Sequence, residues 1–318
     1  MKKIFILTIV SLCFATQINA QCCSAGNPSN QNVAFGISKN SIDIFSSILH
    51  SYSDTYYEGS EPTDWTYLKN MQFNFGKIGF SYGLSDKVKL SSEMGYFIDK
   101  SLKYDFIDSE RKAKGLGDAL IGIQYHLYTN KQQMIDVFPE FKISLPVGAF
   151  DQRDGNIILP IDIQPSSGSY KLIPSLLLIK NFYNSKYMLS AFVSCEYSEK
   201  IQTERTNYKY GNLYVANFEI SRQSIKNINT ALALKIRHRD KAINKNEIMN
   251  YTGGTYINIQ PSLSVGLKNN YALNTFVSIP LYKSVNGIQL TNKYAVGIGI
   301  KKRFTLKSVK PQIDPKIL

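Results

Sequence analysis

The sequence predicts an all-β fold, an antiparallel transmembrane β-barrel of about 12 strands with short periplasmic turns and long extracellular loops. Three observations point there. Residues 294–304 read YAVGIGIKKRF, with Tyr294, Val296, Ile298 and Ile300 on one face and Phe304 at the end. Ala295, Gly297, Gly299, Lys301 and Arg303 occupy the other face. A strand that is apolar on one side and small or charged on the other suits a wall between lipid and water. Second, alternating segments of about ten residues recur along the chain, joined by links that are alternately short and long. Third, the chain opens with an export signal.

That signal occupies residues 1–20. Lys2 and Lys3 form its charged start, Ile4 to Phe14 its apolar middle, and Ala20 the small residue before the expected cut. The apolar run is well short of the roughly 20 residues a membrane-spanning helix needs. Residues 21–35 then read as a periplasmic N-terminal segment. Cys22 and Cys23 invite a lipid anchor, but Gln21 stands where a small residue is wanted. With Cys195 as the one further mature cysteine, neither a disulfide framework nor a metal site is expected.

The barrel is expected over residues 36–304. Taken in order, the strands are 36–50, 67–83, 88–98, 115–128, 134–146, 169–181, 186–198, 210–222, 228–239, 255–268, 272–282 and 291–304. The links 84–87, 129–133, 182–185, 223–227 and 269–271 are short, as periplasmic turns are. The links 51–66, 98–114, 147–168, 199–209, 239–254 and 283–290 are long, as outer loops are. An even strand count leaves both termini in the periplasm. Ile257, Ile259, Leu263, Val265 and Leu267 then face lipid, opposite Tyr256, Asn258, Gln260, Ser262 and Ser264. Val137, Phe141, Ile143 and Leu145 face lipid in the same way. Two strands resist this pattern. Met71, Phe73 and Phe75 fall out of phase with Ile78, Phe80 and Tyr82, which predicts a bulge near Gly76–Lys77. Residues 175–179 are too continuously apolar to assign a face. Residues 305–318 read as a periplasmic tail. A soluble β-sandwich shares the two-faced strands, but strand length and loop alternation favour the barrel.

Composition agrees. The 21 Tyr and 17 Phe, against a single Trp, suit the aromatic girdles of a barrel. A net charge of +13 suggests nucleic acid, yet the basic residues are scattered and the chain is exported, so no nucleic-acid partner is expected. Anionic partners fit better: lipopolysaccharide phosphates, lipid head groups or an anionic solute.

One stretch carries a family resemblance. Tyr82-Gly83-Leu84-Ser85-Asp86-Lys87 turns into a strand, Gly115-Leu116-Gly117-Asp118 opens the next, and Leu145-Pro146-Val147-Gly148 ends a third. The succession resembles outer-membrane proteins regarded as transporters of the meta-cleavage (MetA) pathway of phenol degradation. That resemblance implies a barrel and passage of an aromatic or hydrophobic compound; it implies no catalytic residues. Read from the residues alone, both glycine motifs fit barrel architecture better than substrate binding.

Catalytic and metal chemistry find little support. A hydrolase needs a nucleophile within reach of a base, and none of His50, His126 and His238 has a serine two residues away on its strand. Residues 151–156, DQRDGN, look superficially like a calcium loop but lack the downstream glutamate. No cofactor is expected. The selective features are charges predicted to face the lumen. Glu93, Asp118, Glu140, Glu196 and Glu219 supply acid, while Lys142, Lys235, Arg237, Arg239, Lys268, Lys301 and Arg303 supply base, with His126 alongside. They could form opposed walls across a pore, or pair and plug it. The expected function is passive passage of a small aromatic or anionic solute by a monomer that barrel-assembly machinery inserts. A structural or adhesive barrel is the alternative, and a phospholipase-like enzyme a more distant one.

Overall fold

The computed structural model describes residues 39–306, apart from 107, 183–185, 204–205 and 226. The predicted signal, the segment 21–35 and the tail beyond 306 lie outside the described residues. Eleven strands form the wall: β1 Ser41–Gly59, β2 Leu68–Gly83, β3 Val88–Tyr104, β4 Glu110–Tyr125, β5 Ile135–Leu145, β6 Lys171–Asn181, β7 Tyr187–Ser198, β8 Leu213–Ile225, β9 Ile228–Arg239, β10 Gly254–Gly266 and β11 Tyr271–Thr305. Each pairs antiparallel with the next, and β11 returns to β1, so the sheet closes without an edge. Two short strands, Glu61–Thr63 and Tyr128–Asn130, pair outside the ring.

A closed ring in which all neighbours are antiparallel needs an even number of limbs. The 35-residue β11 provides the twelfth by doubling back. Residues 272–285 pair with β10 and residues 285–305 with β1. The reversal runs through Gly287 (φ 65°), and Lys283 Nζ donates to Thr291 Oγ1 across it at 3.0 Å. The long outer loop expected at 283–290 is therefore a tight turn.

Outward side chains form the expected apolar band. On β7, Tyr187 and Tyr197 both point outward, as do Tyr294 and Phe304 on the second limb of β11. Each pair is ten residues apart. Ten extended residues span about 34 Å, which a strand tilted by roughly 40° projects to about 25 Å, the height of a lipid-facing band. Tyr125, Phe182 and Tyr271 sit at the periplasmic rim, and Tyr96, Tyr214 and Tyr282 at the outer one.

The outer half departs from the sequence reading. β1 runs to Gly59, β3 to Tyr104, and β4 begins at Glu110, all within stretches expected to be loops. Inward residues there are apolar: Tyr56, Met71, Leu102, Tyr104 and Leu290 form one buried cluster. Alternation is thus inverted relative to the membrane band, and it escapes a search for apolar-out strands. The bulge expected at Gly76–Lys77 is absent for the same reason. β1 and β2 stay in unbroken register from Ile42–Tyr82 to Ser53–Met71, so odd-numbered β2 residues from Met71 to Ser81 face inward. The register shift lies across the strand, where β3 skips Ile98. On β6, Leu177 and Ile179 face inward and Leu178 outward.

Candidate functional site: the barrel lumen

From the periplasm upward, the lumen passes through a charged chamber, a belt of phenyl rings and a closed outer section. Strand alternation builds the chamber by pointing short polar and long charged side chains inward from β1–β5 and the end of β11. Asp43 is buried and held by three donors: Arg303 Nε at 2.7 Å, Arg303 Nη2 at 2.9 Å, and Lys301 Nζ at 2.8 Å. Glu93 pairs with Lys77 at 2.9 Å and Lys142 at 3.7 Å, and Lys142 also reaches Glu140 at 3.3 Å. Acids and bases therefore interleave on neighbouring strands. They pair; they do not form opposed walls. Lys89 lines the same chamber without an ion pair among the described residues.

At the periplasmic mouth His126 lies just past the end of β4, stacked on Phe138. Its Nε2 is 2.9 Å from Asp136 Oδ1 and 2.6 Å from Thr129 Oγ1. A nucleophile relay needs the carboxylate and the hydroxyl on different ring nitrogens; here both share one. His50 faces outward and contacts Asn74. His238 lies outside the lumen, between Thr255 Oγ1 at 2.8 Å on Nδ1 and Asp240 at 3.5 Å on Nε2. That ordering resembles a relay, but Thr255 belongs to a strand paired on both sides. Its backbone amides are committed to the ladder and leave no oxyanion donors.

Above the chamber the wall is aromatic. Phe75 and Phe97 lie with centroids 4.6 Å apart, Phe73 meets Phe97 edge-on at 5.8 Å, and Leu49 and Phe276 complete the cluster. Inward glycines make room for these rings. A Cβ at Gly79 would fall 2.1 Å from Phe45, at Gly95 1.9 Å from Phe75, and at Gly297 2.2 Å from Phe276. The rings therefore lie flat against the wall.

The outer section is closed by the link between β5 and β6. Its tip, at Arg153–Asp154 and Ile157–Ile158, is a small exposed hairpin. Beyond it the chain turns into the barrel through a 3-10 turn at Ile161–Ile163, and residues 162–166 are all buried. Leu159 and Ile163 join the outer apolar cluster. Lys100 Nζ donates to Gln164 O at 3.1 Å. Asp162 has an oxygen with no hydrogen-bond partner among the described residues, and burial raises its pKa to about 7 although Lys100 pulls it down.

Asp118 anchors this segment from the wall. It accepts from Ser166 Oγ at 2.7 Å, Ser167 N at 2.9 Å and Ser167 Oγ at 2.5 Å. Lys171 lies 3.8 Å from Asp118 and 3.5 Å from Glu196, which in turn lies 3.5 Å from Arg239. The glycine motifs meet here too, since a Cβ at Gly148 would fall 1.7 Å from Leu116 O. Lys171, the centre of this network, escaped the sequence reading because the strand beginning there could not be given a face. A small sheet from the next outer loops, residues 201–202, 207–209, 243–244 and 247–248, packs Tyr208 and Met249 against Phe150 and Ile161 of the inserted segment.

The remaining predicted residues divide by height. Glu219, Lys235 and Arg237 project inward from β8 and β9. Lys268 does not: it sits in the exposed turn Lys268–Asn270, past the end of β10. Among the described residues no cluster of His, Cys, Asp or Glu could hold a metal ion.

No family model matches the sequence, and no curated protein matches it. Solved structures match the fold. The COG4313 outer membrane channel from Pseudomonas putida F1 superposes with a TM-score of 0.70 at 10% identity, covering 88% of this chain and 100% of that one. The transport unit of the autotransporter AIDA-I from Escherichia coli gives 0.50 at 9% identity, covering 88% and 93%. The β domain of the Bordetella autotransporter BrkA gives 0.50 at 10% identity, covering 84% and 100%. At such identity the likeness is one of architecture. The chain has the fold of an outer-membrane β-barrel.

Proposed function

We propose that the protein is an outer-membrane channel for passive passage of small solutes, with aromatic carboxylates as the preferred class. The observation that carries this reading is the order of surfaces along the lumen. A periplasm-facing chamber of ion-paired side chains leads to a belt of flat phenyl rings, and a latched segment closes the far end. Charges alternating at close range let a small ion exchange partners as it moves, and rings offer its apolar part a surface. The likeness to a channel supports this reading, as do the histidines, none of which has the geometry of a hydrolase. The resemblance to transporters of phenol degradation is in keeping with an aromatic solute. Swelling of vesicles carrying the refolded protein, in benzoate against an equally sized neutral sugar, tests it. Faster entry of benzoate is expected; equal exclusion of both would favour a structural or adhesive barrel, for which the roofed outer mouth is the supporting observation.

A further inference from the structure

The wall opposite the ion-paired chamber is chemically different. Inward residues of β8, β9 and β10 form two rows across neighbouring strands. Asn217, Lys235 and Asn258 make the upper row, and Glu219, Ala233 and Gln260 the lower. Directly paired inward side chains have Cβ atoms about 5 Å apart, and diagonal ones about 7–8 Å. Lys235 is thus adjacent to Asn217 and within side-chain reach of Gln260.

Three members of this patch have unmet polar groups. Lys235 makes no hydrogen bond or ion pair among the described residues, in contrast to Lys77, Lys142 and Lys301 across the lumen. Asn217 and Gln260 are 7% and 8% exposed, and Asn217 Oδ1 and Gln260 Oε1 are buried without a hydrogen bond among the described residues. Two buried unpaired amide oxygens and an unpaired ammonium in one patch carry a penalty that a solute could relieve. Phe192, paired with Asn217, and Phe276 line the chamber beside it.

From this geometry we infer a carboxylate subsite on the β8–β10 wall, centred on Lys235, that takes a small hydroxylated aromatic monocarboxylate. Lys235 meets the carboxylate. Asn217 Oδ1 or Gln260 Oε1 accepts the hydroxyl proton, and the ring lies toward Phe192 and Phe276. Glu219, diagonal to Lys235, disfavours a second negative charge on the ligand. The subsite deepens the channel reading and rests on it for its physiological role, although its occupancy is measurable without transport.

The test is calorimetric titration of 4-hydroxybenzoate, benzoate and 4-hydroxybenzyl alcohol into the full, refolded protein in detergent micelles. Folding of each variant is confirmed by the mobility shift on heating. 4-Hydroxybenzoate is expected to bind tightest. Lys235→Gln should weaken it by about tenfold or more, the worth of a charge-assisted hydrogen bond. Gln260→Ala and Asn217→Ala should together erase the advantage over benzoate, while Lys268→Gln at the mouth leaves binding unchanged. If 4-hydroxybenzoate does not bind the folded protein, or binds Lys235→Gln equally well, the subsite is overturned. If it binds as expected but nothing conducts in a bilayer, the subsite stands and the channel reading falls. Conductance without binding overturns the subsite and leaves the channel reading standing.

Discussion

The two halves of the lumen solve the same problem differently. The periplasmic half keeps polar groups inside and apolar groups outside, and its charges pair between neighbouring strands around a common chamber. The outer half buries apolar side chains inside, fills the remaining space with chain, and fixes that chain through the charges of Asp118, Lys171, Glu196 and Arg239. An ion pair beside water costs little to rearrange; one enclosed by protein is costly to break. The first arrangement suits passage, the second closure.

Removing one cation from each half tests this contrast most strongly. Lys171→Ala removes the cation between Asp118 and Glu196, leaving Glu196 with Arg239 at 3.5 Å and Asp118 with its serine donors in an enclosed site, and should destabilise the barrel by roughly 3 kcal/mol. Lys77→Ala leaves Glu93 with Lys142 at 3.7 Å and should cost much less. Urea unfolding midpoints in micelles measure both, and equal losses would dissolve the distinction. Next in size is the packing of rings on glycine. Gly79→Val forces Phe45 off the wall into the chamber, at a cost of about 1–3 kcal/mol, and should narrow conductance in the same step.

The closure should also respond to pH. Asp162 is neutral when the segment is seated below about pH 7, whereas a solvated aspartate ionises near 3.8. Seating is therefore fully supported below pH 3.8. Support is lost as pH rises toward 7, by up to about tenfold in the seated-to-released ratio per pH unit, and changes little above that. Openings should become more frequent between pH 5 and 7. Asp162→Asn should remove that trend and hold the segment seated. An unchanged pH response in this variant would assign the titration elsewhere. Smallest of all is the exposed pair Lys293–Asp54 at 2.7 Å on the outer surface, where Lys293→Ala should leave the unfolding midpoint essentially unchanged.

The fold was legible in the sequence wherever lipid imposed its rule. Ile257, Ile259 and Leu263 oppose Asn258, Gln260 and Ser262 because one face meets hydrocarbon and the other water, and such strands need no structure to be found. Above the membrane that rule lapses. Met71, Phe73 and Phe75 face inward to meet Leu159, Ile163 and one another, so their phase suggested a bulge where the register is continuous. The ends of β1, β3 and β4 were hidden by the same inversion. The site was half legible. Side-chain direction follows from strand parity, which is enough to put Glu93, Lys142 and Lys235 on the inward face of their strands. Partners depend on which strands become neighbours and on where a loop goes. Lys171 and the inserted residues 162–166 belong to that second kind of information.

The segment latched by Asp118 closes an otherwise continuous lumen. Single-channel conductance of the full protein in a planar bilayer, wild type against Asp118→Asn, tests it most directly. The variant keeps the size of the side chain but removes the charge that holds Lys171 and the serines. Small or rare openings are expected in the wild type, and openings several times larger or more frequent in the variant with ion selectivity unchanged. Identical conductance from two demonstrably folded proteins would contradict it.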